Sequence, residues 1–194
     1  MLKSQLLTFG LVGYLFSGLS LPAQAAQSAW QINPDSSSLT FHLKNMGMPV
    51  DGKFTKLSGK VNYDDKDLAD STVEANVDTG SINTGIGMRD HHLKSKDFFN
   101  IAKFPQAEFR SSKIVVSPSG DFQIFGTLSL HGVSQEITLN SKPLNKNVDQ
   151  SGKNHLIASA STNLRRKTFA IGGWSAASVG DDVTIDLAID LIKP

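Results

Sequence analysis

The chain contains no cysteine. That excludes disulfides, thiolate catalysis, cysteine-ligated metal and lipid attachment to an N-terminal cysteine. It also lacks an excess of charge of either sign, with 19 Lys and Arg against 18 Asp and Glu. No basic stripe with interleaved aromatics is present, so nucleic acid is not an expected partner. Long apolar runs are scarce. The one that stands out, residues 6–21, follows Lys3, is interrupted by Thr8, Gly10, Gly13, Ser17, Gly18 and Ser20, and precedes Ala23-Gln24-Ala25. It reads as a secretory signal peptide with an A-x-A cleavage site rather than a membrane anchor, because no stop-transfer pattern follows. Residues 1–25 are thus expected to be removed, leaving 26–194 as one domain. A chain of about 170 residues buries roughly 70% of the surface its unfolded form exposes, enough for stability from one core without disulfides.

What is present is alternation with a period of two. Leu39, Phe41 and Leu43 share one face, and Ser38, Thr40, His42 and Lys44 the other. The same pattern recurs at Leu57, Gly59, Val61 and Tyr63, at Val73, Ala75 and Val77, and at Phe122, Ile124, Gly126, Leu128 and Leu130. It continues at Ile137 and Leu139, at Leu156, Ala158, Ala160, Thr162 and Leu164, and at Val183, Ile185, Leu187, Ile189 and Leu191. These are strands with one apolar and one wet face. Turn residues separate them, as in Asp64-Asp65-Lys66-Asp67 and Ser117-Pro118-Ser119-Gly120-Asp121, so neighbouring strands are antiparallel. About eight such strands avoid exposed edges by closing into an up-and-down barrel, with a sandwich as the alternative.

Two segments break the alternation. Residues 82–104 accommodate a short helix over about 86–96, with Met88, His92, Leu93 and Phe99 turned towards the barrel, and an insertion of that length reads as a lid or plug. The second segment, 165–179, contains Gly172-Gly173-Trp174.

The chemical candidates are weak. Adjacent His91 and His92 diverge by about 100° on a helix and do not share a metal easily. Gly173-Trp174-Ser175-Ala176-Ala177 lacks the last glycine of a nucleophile elbow. Counting from Asp65, the glycine and glutamate positions of an EF-hand hold Asp70 and Asn76. Phe98, Phe99, Ile101 and Phe104, followed by Phe109, are a surplus of large apolar groups, and they make either a core plug or the walls of an apolar ligand pocket.

Met88-Arg89-Asp90-His91-His92-Leu93, Asp97-Phe98-Phe99-Asn100 and Lys103-Phe104-Pro105 resemble the central signature of the YceI-like family. Gly126-Thr127-Leu128-Ser129-Leu130-His131-Gly132-Val133 resembles its G-x-L-x-L-H-G-V hairpin, and Trp30-Gln31-Ile32-Asn33-Pro34 with Gly52-Lys53-Phe54 its opening strand and G-x-F step. The resemblance implies an all-β, lipocalin-like antiparallel β-barrel of about eight strands with a short helical lid insert. It further implies export to the bacterial periplasm and a polyisoprenoid, such as an isoprenoid quinone or precursor, or another long-chain amphiphile in an apolar tunnel. It brings no catalytic residues, metal or cofactor, and the amphiphile itself is the ligand. Transient membrane contact suits such a cargo, and a two-fold homodimer is the commonest assembly. The expected pocket residues are Phe41, Leu43, Phe54, Met88, Phe98, Phe99, Phe104, Phe109, Phe169 and Trp174, with Arg89, Asp90 and His92 as polar lid or pocket-mouth groups. The alternatives are a filled structural or stress-protective barrel and a lipid ester or amide hydrolase acting through Ser175.

The chain departs from the family pattern at three places. Ser36 replaces the histidine of D-P-x-H-S, Asn45 replaces a second histidine, and Arg166-Lys167-Thr168-Phe169-Ala170-Ile171 lacks the acid and glycine of R-x-D-F-G-I.

Overall fold

The computed structural model describes residues 28–193. The expected signal peptide and its cleavage motif lie outside the described residues. Twelve strands make one sheet: β1 (Ser28–Ile32), β2 (Ser38–Asn45), β3 (Met48–Phe54), β4 (Leu57–Tyr63), β5 (Thr72–Asp78), β6 (Ile82–Asn83), β7 (Gln106–Val116), β8 (Phe122–Leu130), β9 (Val133–Ser141), β10 (Asn145–Val148), β11 (Asn154–Arg165) and β12 (Asp182–Ile192). Helix α1 (Gly87–Lys94) lies between β6 and β7.

Several of these strands are halves of one wall. β1 and β2 both pair with β12, and β4 and β3 pair with β1 and β2 in turn. β5 and β6 then pair with β4 and β3, while β9 and β10 share β11. The result is a closed antiparallel barrel of eight walls, sealed by the β11–β12 ladder from His155↔Ile192 to Arg165↔Asp182. Closure rules out the sandwich, because no pair of facing sheets remains once the last strand is bonded on both edges.

The period-two faces point where the alternation placed them. Leu156 and Leu191 join Trp30, Ile32 and Leu57 in a core at one end, and Phe109, Ile114, Phe122, Ile124 and Leu139 form a second core beside it. Phe98, Phe169, Ile171 and Ala176 pack at the opposite end, beneath the lid. Gly126 is required by this packing, since a Cβ there would overlap the Phe109 ring and the Arg110 carbonyl. Two hairpins close through two-residue turns with positive φ at both positions, Met46 and Gly47 (51° and 79°) and His131 and Gly132 (54° and 77°), the geometry that matches strand twist.

The acid run after β4 is turn chemistry. Asp64 Oδ1 accepts from the N–H of Lys66 (2.8 Å) and Asp67 (3.1 Å), and these bonds hold its carboxyl below the usual range. Asp67 caps a one-turn 3-10 helix, Leu68–Asp70, through the Ala69 N–H.

Leu156 is buried in the filled end, so Leu156→Ala is expected to cost about 2–5 kcal/mol in urea unfolding. Leu187 borders the barrel's void, described below, and Leu187→Ala should cost clearly less, because fewer contacts are lost. Equal costs would mean that the void closes in solution.

Candidate functional site

The barrel encloses a cavity of about 210 Å³ running between its two ends. A single water needs only roughly 10–15 Å³, so this interior is not a filled core. Its wall is built from the inward faces of nearly every strand, with Val61, Val77, Phe109, Ile124, Leu139 and Leu187 among the lining residues. The few polar groups in the wall are mostly spent internally. Thr79 Oγ1 donates to the Phe104 carbonyl (2.7 Å), Ser141 Oγ to the Ser159 carbonyl (2.9 Å), and Ser71 Oγ accepts from the Asp64 N–H (2.9 Å). Such a surface offers dispersion and hydrophobic burial to a ligand, with little direction.

A second apolar cavity of about 100 Å³ lies between the barrel and the lid, lined by Phe41, Leu43, Leu93, Phe98, Phe169 and Ile171 among others. Phe99, Leu130, Leu164 and Ile185 face both cavities, so the two share a wall. Phe54 stands at this junction, with its ring 5.6 Å from Phe99 and 5.8 Å from Phe41. The barrel wall is weakest at the same end. β9 and β11 share only the pairs Ser141↔Ala160 and Asn140↔Ser161, and beyond them the two strands part.

The lid is fastened by polar contacts. Asp90 Oδ1 accepts from the N–H (2.8 Å) and the hydroxyl (2.5 Å) of Thr84, and Arg89 donates to the Thr84 hydroxyl and carbonyl (2.8 and 3.0 Å). Phe104 packs over Gly132 and edge-on to His131, 4.6 Å between ring centres, while His131 Nδ1 donates to the Phe169 carbonyl (3.1 Å).

Seven of the expected pocket residues, Phe41, Leu43, Phe54, Phe98, Phe99, Phe109 and Phe169, line one or both cavities. Three do not, and the expectation is corrected. Met88 and Trp174 are 86% and 98% exposed, on the outer side of the lid end, and Phe104 is a fastening outside the cavities. Arg89, Asp90 and His92 also lie away from both cavities. The first two tie the helix to Thr84, and His92 faces Asp97 (3.7 Å) and the edge of Phe98 (5.0 Å). The helix is shorter than expected, Gly87–Lys94, and it turns Leu93 inward but not Met88 or His92. Among the described residues, no group of three or more His, Asp and Glu could hold a metal ion. Sequence reading undervalued the strand walls as site residues. Ile114 and Leu144 gave no periodic signal, whereas Val61, Ile124 and Leu187 were legible as inward-facing and follow from the alternation alone.

The YceI-like domain family matches residues 30–191. The chain belongs to the YceI-like family. Among its curated relatives, a UPF0312 protein of Shewanella denitrificans is 31% identical over 94% of this chain and 97% of its own length. A UPF0312 protein of Vibrio parahaemolyticus is 31% identical over 99% of this chain and all of its own. Of solved structures, Burkholderia cenocepacia BcnA superposes with a TM-score of 0.75 at 23% identity, covering 82% of this chain and 98% of that one. A polyisoprenoid-binding domain from Saccharophagus degradans, implicated in plant cell wall breakdown, superposes at 0.65 with 18% identity, over 86% of this chain and 99% of that one. These two likenesses concern the fold.

Against the YceI-like pattern, the departures acquire a structural meaning. Ser36, at the missing histidine's position, donates its hydroxyl to Asp190 Oδ2 (2.5 Å), beside Asn33 Nδ2 (2.9 Å). His155 Nδ1 meets the other carboxylate oxygen at 2.7 Å, and Asp149 lies 3.4 Å from its Nε2. This cluster pins the β1–β2 connection to β11 and β12 on the barrel's outer face. The acid sits between serine and histidine, so the imidazole does not bear on the hydroxyl as a general base does in a hydrolytic triad. At the third departure, the 166–171 stretch, Arg166 is buried and spends all five N–H donors on the carbonyls of Ile171, Gly172, Ala176, Val179 and Gly180 (2.7–2.9 Å). Ala170, where the family pattern has glycine, is left-handed (φ 53°, ψ 28°).

Ala170→Gly should therefore stabilise the protein by about 0.5–1 kcal/mol, read as a raised thermal midpoint, because the Cβ penalty exceeds the entropy glycine loses. The Asp190 cluster predicts a pH dependence. Desolvation pushes the Asp190 carboxyl up, but hydrogen bonds from Ser36, His155 and Asn33 more than reverse it, and the group ends below its ordinary 3.8. The bond to Asp190 raises the His155 imidazole above its ordinary 6.5, against partial desolvation and with help from Asp149. Asp190's contribution is present above 3.8 and lost as pH falls through its lowered value; that of His155 is present below 6.5 and lost as pH rises through its raised one. Thermal midpoints should fall on the alkaline side in the native protein, and His155→Gln should flatten that limb.

Proposed function

We propose that this protein is an exported, periplasmic and non-enzymatic binder that shelters the hydrocarbon part of a polyisoprenoid or another long-chain amphiphile. The observation that carries this reading is the apolar cavity of about 210 Å³, adjoined under the lid by a second of about 100 Å³. A filled structural barrel would not leave such a void, since empty space forfeits dispersion contacts on every lining side chain. The polyisoprenoid-binding activity named for the Saccharophagus degradans domain supports the choice of ligand class.

The energetics favour long chains. At ~0.8 kcal/mol per buried CH₂, ten carbons contribute roughly 8 kcal/mol against association costs of at least ~4 kcal/mol. The remainder corresponds to about millimolar binding, so useful affinity requires a longer chain. Arg166 has no N–H left for a head group, and the cavity walls hold few free polar atoms. Selection is accordingly by hydrophobic length and girth.

Delipidated protein titrated with prenyl alcohols and fatty acids of increasing length should bind about fourfold more tightly per added methylene, until the cavity is full. Ala160→Phe, which projects a ring into the void, should shorten the longest chain accepted while leaving the thermal midpoint within a few degrees. Native mass spectrometry of the detergent-free protein identifies the cargo. Absence of saturable binding for every prenyl and acyl chain would refute the reading.

A further inference from the structure

Among the described residues, the most exposed large apolar side chains gather at one end of the barrel. Trp174 is 98% exposed, Met88 86%, Met46 81% and Met48 68%. All four belong to the end that carries the lid. Met46 and Met48 form the β2–β3 hairpin tip, which is bonded to the 174–180 loop through Met46 N–H to the Ser178 carbonyl (2.9 Å) and a bridge between Asn45 and Val179. Met88 stands with half-exposed Ile86 at the start of α1. The other exposed large apolar groups, Val115, Val116, Val148 and Ile157, are smaller and none exceeds 58%.

Neither local structure nor solubility explains these choices. Met46 occupies a left-handed turn position (φ 51°) where Asn, Asp or Gly is favoured, and it then presents its side chain to solvent. Exposed patches of this kind mark contact with another apolar phase. An exposed tryptophan with methionines suits the interfacial region of a bilayer.

Charge indicates which phase. The connections at the lid end, 46–47, 84–105, 131–132 and 166–181, carry six Lys and Arg (Arg89, Lys94, Lys96, Lys103, Arg166, Lys167) against Asp90, Asp97 and Asp181. The connections at the opposite end, 64–71, 117–121, 142–144 and 149–153, carry six Asp against three Lys. A barrel with no net charge excess is thus polarised along its axis, lid end positive. Near an anionic surface this field orients it lid first.

We propose that the lid end docks on an anionic lipid bilayer, with Met46, Met48, Met88 and Trp174 entering the interface and Lys94, Lys96, Lys103 and Lys167 meeting the headgroups. The place where β9 and β11 part opens at the same end, which sets the cavities next to the membrane that would give or receive the cargo. The docking rests on the lipid-binding reading for its purpose, but not for its physics.

The test uses flotation with vesicles of phosphatidylcholine alone and of phosphatidylcholine with 30% phosphatidylglycerol, alongside tryptophan emission. Trp30 is buried and supplies a constant background, so a blue shift on vesicle addition reports Trp174. The anionic vesicles should bind the protein with a blue shift that high salt reverses. Met46→Ser/Met48→Ser/Trp174→Ser should lose at least tenfold in partition, and Lys96→Glu and Lys103→Glu at least about fivefold each, because each reverses a charge. All these variants should retain the native affinity for a prenyl alcohol titrated in free solution. No partition into the anionic vesicles, partition without the blue shift, or a triple variant that alters only self-association in ultracentrifugation would each overturn the docking. Vesicle binding that persists while no prenyl or acyl chain binds in solution would uphold the docking and refute the cargo reading instead.

Discussion

β12 is bonded along its whole length to β11 and along its other edge to β2 and then β1, and that double bonding turns a sheet into a ring. Once the ring is closed, the inward side of every wall faces the same interior, and alternation commits half the residues of each strand to it. The wall residues are mostly mid-sized, Val, Leu, Ile and Ala, with Phe54, Phe99, Phe109 and Phe122 among them. They leave a void at the centre where phenylalanines from all sides would have filled it. The phenylalanines are grouped instead, with Phe109 and Phe122 in one core and Phe98 and Phe169 in another.

The lid end depends on a different kind of interaction. A buried guanidinium is costly, and Arg166 is tolerated because each of its N–H groups meets a carbonyl of the 171–180 loop. The same bonds fold that loop back over Phe169 and Phe98, so one cation organises the roof of the upper cavity. Thr84 does the equivalent for α1, and the Phe104–His131 contact for the end of the insert. The roof is therefore held by polar joints, while the surface it presents to the cavity stays apolar.

This division also explains which site residues were legible in the sequence. Strand walls such as Leu187 and Ile124 could be assigned an inward face from alternation, because a period of two admits only two choices and the polar partners take the other. Phe41 was legible in the same way, sharing a face with Leu39 and Leu43, whereas Phe98 and Phe99 were found through composition and family resemblance. Met88, Phe104 and Trp174 were misplaced because they lie in irregular segments, where no period says which way a side chain points and where apolar character alone suggested burial.

The sequence by itself determined the strands, their wet and dry faces, the turn chemistry between them and membership of the family, since each of these rests on neighbours within a few residues or on short motifs. Only the tertiary structure decided that the walls meet as a ring around an empty space, that Ser36 and His155 share Asp190, and that the apolar residues of the lid divide between roof and outer rim. Those outcomes depend on groups far apart in the chain, such as Ser36 and Asp190, 154 positions from each other, and on how much volume remains when all the inward side chains are counted together.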